Sequence, residues 1–186
     1  MRTRHYGWIA LAGFLALILF SPSGDTQSAA KSPVLGQEAP LFTATTLEGK
    51  KLDLQKLRGK LVLIDFWATW CPPCRAEVPH LLEVYEKYHK KGFEIVSVSV
   101  NDKEAKVKEF QKTHKMNWIH IRDAESKIAE KYGVVSIPAP FLIDPEGKLI
   151  AKDADLRGPG LMNQVAEHIK SVPEIKEPET PASETE

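Results

Sequence analysis

Leu61-Val62-Leu63-Ile64-Asp65-Phe66-Trp67-Ala68-Thr69-Trp70-Cys71-Pro72-Pro73-Cys74-Arg75-Ala76-Glu77-Val78-Pro79 is the stretch from which the fold is read. Leu61 to Trp67 is a near-continuous apolar run, as expected of a strand buried on both faces, with Asp65 the exception inside it. From Pro72 the period changes. Val78, Leu81, Leu82, Val84, Tyr85 and Tyr88 recur at helical spacing, and Gly92 ends the segment. The junction between strand and helix holds the only two cysteines of the chain, Cys71 and Cys74. Two cysteines cannot build a disulfide framework of the small secreted kind, nor complete a four-ligand zinc site alone. In this context Cys-x-x-Cys reads as a dithiol/disulfide redox centre.

Upstream, Pro40–Thr45 and Lys51–Leu54 flank Glu48-Gly49-Lys50, which predicts a hairpin. Downstream, Phe93–Val100 alternates into a second buried strand. Lys103–His114 reads as an amphipathic helix, and Trp118–Ile121 as a short strand. Asp123 is placed to cap a helix through Lys131, and Gly133 to stop it. Phe141–Ile143 and Lys148–Lys152 form a hairpin across Asp144-Pro145-Glu146-Gly147. Arg157-Gly158-Pro159-Gly160 turns into a last helix near the expected substrate groove. The order is a β-hairpin, β-α-β-α-β-α, a second hairpin and a final helix. That is an α/β fold, helices around a central mixed sheet.

The two ends differ from the middle. Arg2, Arg4 and His5 precede an uncharged run from Gly7 to Phe20. As a helix this run spans about 21 Å, short of the ~30 Å hydrocarbon core. Residues 1–20 therefore read as a signal peptide, with an uncleaved N-terminal membrane anchor as the rival reading. Residues 21–33 read as a linker, 34–172 as one domain, and 173–186 as a disordered, acidic Pro/Glu-rich tail. Both readings of the N-terminus export the domain to the periplasm or the outer face of the cytoplasmic membrane. With 25 basic and 25 acidic residues the chain makes no electrostatic case for nucleic-acid binding. The six histidines show no metal-ligand spacing.

The chemistry explains the residue types. The thiolate is the attacking species, and a free cysteine ionises only near ~8.5. A helix N-terminus lowers that value through its free N–H groups and dipole. Cys71 is expected to project at an exposed junction and attack. Cys74, one turn in and more buried, resolves the mixed disulfide. Pro72 and Pro73 donate no N–H, so the thiolate is less stabilised, which leans towards a reducing role. Trp70 stands beside the nucleophile, as a cover or docking surface.

The frame Val62–Pro79, with Ile137-Pro138-Ala139-Pro140-Phe141 further on, resembles the thioredoxin superfamily. More narrowly it resembles TlpA/ResA-like thiol-disulfide oxidoreductases of the bacterial envelope. The resemblance covers about residues 34–172 and implies a thioredoxin-like fold with an N-terminal β-hairpin extension. It implies a cis Ile137–Pro138 bond facing the dithiol, with the Ile137 backbone pairing with a substrate segment. Ala139 and Pro140 depart from the hydroxyl residues more usual there, which bears on partner docking. Asp65 matches the buried aspartate of thioredoxins. Glu77 matches the glutamate that ResA-like proteins hold near the dithiol. Burial raises a carboxyl pKa towards neutrality, which suits proton transfer. Asp65 is accordingly expected to serve Cys74 as its base, and Glu77 to tune the site or transfer protons in its place.

The expected function is an exported protein-disulfide reductase without a prosthetic group or metal, acting as a monomer. The implied substrate is a cysteine-containing envelope protein such as apocytochrome c during cytochrome c maturation. A membrane thiol reductant must restore the dithiol. Three readings stay open beside it: a disulfide donor of the same fold, a peroxiredoxin-like peroxidase, and a non-catalytic binding module. Against the peroxidase, Thr69 stands two residues before Cys71, where the Thr-x-x-Cys of those enzymes needs three.

Overall fold

The computed structural model describes residues 32–173. The expected export segment, most of the linker and the acidic tail from residue 174 on lie outside the described residues. Five strands form the main sheet in the order β5-β4-β3-β6-β7. They are β3 (Leu61–Trp67), β4 (Phe93–Val100), β5 (Ile119–Asp123), β6 (Ala139–Ile143) and β7 (Leu149–Lys152). β3 runs parallel to β4, and β4 to β5. β6 lies antiparallel to β3, and β7 to β6. The expected hairpin forms a separate antiparallel pair, β1 (Thr43–Thr45) and β2 (Lys51–Asp53).

β3 is the central strand, which is why its sequence is apolar on both faces. Val62, Ile64 and Phe66 point to one side, where they pack with Phe42, Leu52, Tyr132 and Phe141. Leu61, Leu63 and Trp67 point to the other, against Cys74, Val78 and Leu81 of helix α1 (Pro72–Tyr88). Each such fully buried side chain is worth about 1.5–3 kcal/mol of transfer free energy. The steps β3-α1-β4 and β4-α2-β5 move the same way across the sheet. Right-handed crossovers then put α1 and α2 (Glu104–Thr113) on one face. The last helix, α4 (Pro159–His168), joins them through Leu161 and Val165. The opposite face is covered by α3 (Lys127–Lys131) and by the N-terminal extension. That extension bridges to Lys148 through Glu38 and to Ile121 through Thr46.

Several boundaries differ from expectation. α1 ends at Tyr88 and tightens into a 3-10 turn before Gly92, whose φ of 93° reverses the chain. Asp123 does cap α3, but the helix starts only at Lys127. The Asp123 carboxylate reaches forward to the N–H groups of Ile128 and Ala129, at 3.0 and 2.8 Å. β6 begins at Ala139, two residues early, so Pro140 lies within a strand. β7 starts one residue later than expected, at Leu149, and runs directly into a 3-10 turn, Asp153–Leu156. No helix among the described residues is long and apolar enough to cross a membrane.

Candidate active site

The parallel strands β3 and β4 both end at the same edge, and the redox pair sits there. Cys71 is the N-cap of α1. Its Sγ accepts the N–H of Cys74 at 3.2 Å, and Pro72 and Pro73 fill the first turn without donors. The two cysteines form a disulfide. The loop in front of them is held from the neighbouring β4–α2 connection. Asp102, itself buried, accepts the Thr69 N–H at 2.7 Å and the Lys103 N–H at 2.8 Å. The Trp70 indole donates to the Asn101 carbonyl at 3.1 Å and leaves the ring 57% exposed.

Expected exposure at Cys71 is corrected by this geometry. Both cysteines are 3% exposed. The loop after α3 covers the disulfide, and its Ile137 carbonyl stands 4.0 Å from Cys71 Sγ. What distinguishes Cys71 is therefore position, not exposure: it is the N-cap and the sulfur nearest Ile137. The Ile137–Pro138 bond is cis. Beside this wall runs an open groove of about 330 Å³, lined by Trp70, Val100, Asn101, Ala129, Val134 and Ile137. Val135 on its rim is almost wholly exposed.

Asp65 lies under the site on the α1 face of β3. Its register partners are Ser97 on β4 and Pro140 on β6. Burial raises its pKa to about 7. The Glu77 charge adds to the rise, and the Arg157 guanidinium opposes it. Pro140 thus sets an apolar ring beside the buried carboxyl. Glu77 is half-buried, and its Oε2 accepts the Gly158 N–H at 2.8 Å. All seven expected site residues gather here: Asp65, Trp70, Cys71, Cys74, Glu77, Ile137 and Pro138.

Three further residues were not singled out from the sequence. Asp102 carried a readable signal, an aspartate just before a helical pattern, which is the signature of a cap. Arg157 carried none beyond its place in a turn. Its guanidinium Nη2 donates to the Pro138 carbonyl. His120 sits next to Ser97 in the same row of the sheet, fully buried. Its Nε2 donates to the Met116 carbonyl at 3.0 Å, and burial lowers its pKa to about 4. Among the described residues no group of His, Cys, Asp and Glu side chains is arranged to hold a metal ion.

The comparisons with known proteins agree with this geometry. Residues 35–152 match the AhpC/TSA family. The thiol-disulfide oxidoreductase ResA of Bacillus thuringiensis subsp. konkukian (strain 97-27) is 38% identical over 138 residues, 74% of this chain and 78% of that one. Among solved structures, the thioredoxin domain of a Bacteroides vulgatus thiol-disulfide oxidoreductase superposes with a TM-score of 0.68 at 36% identity. That match covers 74% of this chain and 99% of the other. A secreted Mycobacterium tuberculosis disulfide oxidoreductase, described as homologous to E. coli DsbE, superposes with a TM-score of 0.61 at 28% identity. It covers 68% of this chain and 95% of its own.

Proposed function

The chain belongs to the AhpC/TSA family of thioredoxin-like proteins as a thiol-disulfide oxidoreductase of the ResA/DsbE type, and on that premise we propose that it works outside the cytoplasm as a reductant of protein disulfides. Cys71 thiolate attacks one sulfur of the partner's disulfide. A mixed disulfide forms, and the partner's other sulfur leaves as thiolate. Asp65 takes the proton of Cys74, whose thiolate then attacks Cys71 Sγ. The partner's second thiolate leaves, protons return from solvent and Asp65, and the Cys71–Cys74 disulfide remains. Two electrons have passed to the partner. A thiol reductant at the membrane must return them before the next turnover.

The observation that carries the reducing direction is the first turn of α1. Of its early backbone groups, Pro72 and Pro73 offer no N–H, and the Cys74 N–H is the donor to Cys71 Sγ. A thiolate with so few donors is a weakly stabilised product of reduction, and a less stabilised dithiol gives up electrons more readily. The groove along Trp70 and Ile137 would seat an extended segment around the partner's cysteine. A partially unfolded envelope protein such as apocytochrome c offers such a segment. The basic head and apolar run at the N-terminus support export.

Equilibration of the full chain against glutathione and dithiothreitol measures the Cys71–Cys74 potential. A value near or below the roughly −270 mV of thioredoxin is expected. A value above about −180 mV reverses the assignment and makes the protein a disulfide donor. In the same preparation C71S should abolish insulin reduction. Peroxide turnover faster than disulfide turnover would favour a peroxidase instead.

A further inference from the structure

One turn, Arg157-Gly158 at the start of α4, reaches three parts of the site together. Arg157 donates from Nη2 to the Pro138 carbonyl, on the loop that covers Cys71. The adjacent Gly158 N–H holds the Glu77 carboxylate on α1 at 2.8 Å. Gly158 has φ 52° and ψ −134°, a conformation that suits glycine and aims its N–H back at the helix. Arg157 is also the positive charge that acts on Asp65 against the negative charge of Glu77. We propose that Arg157 is a positioning residue of the redox site. Its guanidinium fixes the peptide after Pro138, and with it the Ile137 carbonyl that faces Cys71, while its charge offsets that of Glu77 at Asp65.

The groups around Asp65 leave this role to Arg157. From α1 come Glu77 and, in the reduced protein, the Cys74 thiol. The flanking strands present Ser97 and Pro140, neither of them charged. His80, also on α1, lies beside Gly158. A guanidinium stays charged at every working pH and can hold a carbonyl and direct its charge elsewhere at once. Because Arg157 is exposed, solvent screens its effect, and the expected shift at Asp65 is modest.

The test is a carboxyl-carbon NMR titration of Asp65 in the full-length disulfide form, alongside insulin-reduction kinetics. R157Q should raise the Asp65 midpoint by about half a pH unit or more. It should lower kcat/KM about fivefold, chiefly through KM, since a docking wall is loosened by the loss of one hydrogen bond. R157K, which keeps the charge and a donor, should restore both. R157M is a second charge-free variant should R157Q fold poorly. An unmoved Asp65 midpoint in both R157Q and R157M, or an R157K that departs as far as R157Q, overturns the proposal. The kinetic part rests on the proposed docking of a partner segment against the Ile137–Pro138 wall, and D65N measured in parallel tests the base assignment separately. If D65N keeps the wild-type rate, the base assignment falls, while the Asp65 midpoint still decides the role of Arg157.

Discussion

Asp65 and His120 lie in one row of the sheet, separated by Ser97, and both are buried under the same helices. Burial disfavours the charged form of each, so it drives their pKa values in opposite directions. Asp65 rises to about 7, and His120 falls to about 4. The aspartate lands in the working range of pH, with Glu77 and Arg157 to adjust it. The histidine leaves that range and becomes a neutral ring, stacked on Trp118 with centroids 5.6 Å apart. Its Nε2 is bonded and its Nδ1 has no hydrogen-bond partner among the described residues. The same desolvation leaves a group that titrates near neutrality at one end of the row and a neutral packing group at the other. What separates them is the kind of acid and the charged neighbours, not depth.

The contrast can be broken most sharply by kinetics. D65N should slow resolution of a trapped mixed disulfide by roughly a hundredfold at pH 7, a typical worth for a positioned general base. H120Q, which keeps a donor for Met116, should leave that rate within about twofold. Equal effects from the two variants would erase the distinction.

A second consequence concerns stability and pH. In the native protein Asp65 keeps a proton that the unfolded chain has lost, so its contribution falls as pH rises from about 4 to about 7. Native His120 refuses a proton that the unfolded chain takes, so its contribution grows as pH rises from about 4 to 6.5. In the wild type the two slopes oppose each other. D65N should unmask a rise, and H120Q a fall, each approaching 1.4 kcal/mol per pH unit, with ~1.36 kcal/mol the free energy of one proton equilibrium per unit. Urea unfolding of the disulfide form at half-unit steps from pH 4 to 7 reads both. Parallel curves for the two variants would contradict the opposed shifts.

The smallest effect belongs to Glu77. E77Q removes a charge that raises the Asp65 pKa, so the pH–rate midpoint should move down. The rate at pH 7 should change by less than about threefold, as expected of a neighbour partly exposed to water. A larger loss, with D65N silent, would transfer the base assignment to Glu77.

Much of the architecture was legible because the relevant signals are local. The apolar run Leu61–Trp67 could only be a strand covered on both faces, and the shift to helical spacing after Pro72 located the dithiol. The cis bond at Pro138 followed from the resemblance and is present. What escaped depends on contacts between distant segments. The backbone bond from Gly158 to Glu77 spans 81 residues, and Arg157 meets Pro138 across 19. Neither leaves a spacing pattern. His120 alternates with apolar neighbours like any strand residue, so its full burial depends on how β5 pairs with β4. Cys71 was expected to stand exposed because a helix N-terminus usually does. The loop that covers it arrives from Ile137, far along the chain.

The position of β3 also sets the order in which this protein can be finished. Its two neighbours come from opposite directions along the chain: β4 begins at Phe93, and β6 only at Ala139. A nascent chain that ends before Ile143 can pair β3 on one edge alone, with Asp65 beside an open flank. The entropy of closing the chain onto so distant a strand must be met before its contacts reward it. The cysteines are therefore made, and can already meet each other over three residues, before Asp65 is buried or the Ile137 loop is in place. Maturation of the site is the docking of its last third, and a truncation before α4 should leave a reducible disulfide without a tuned enzyme around it.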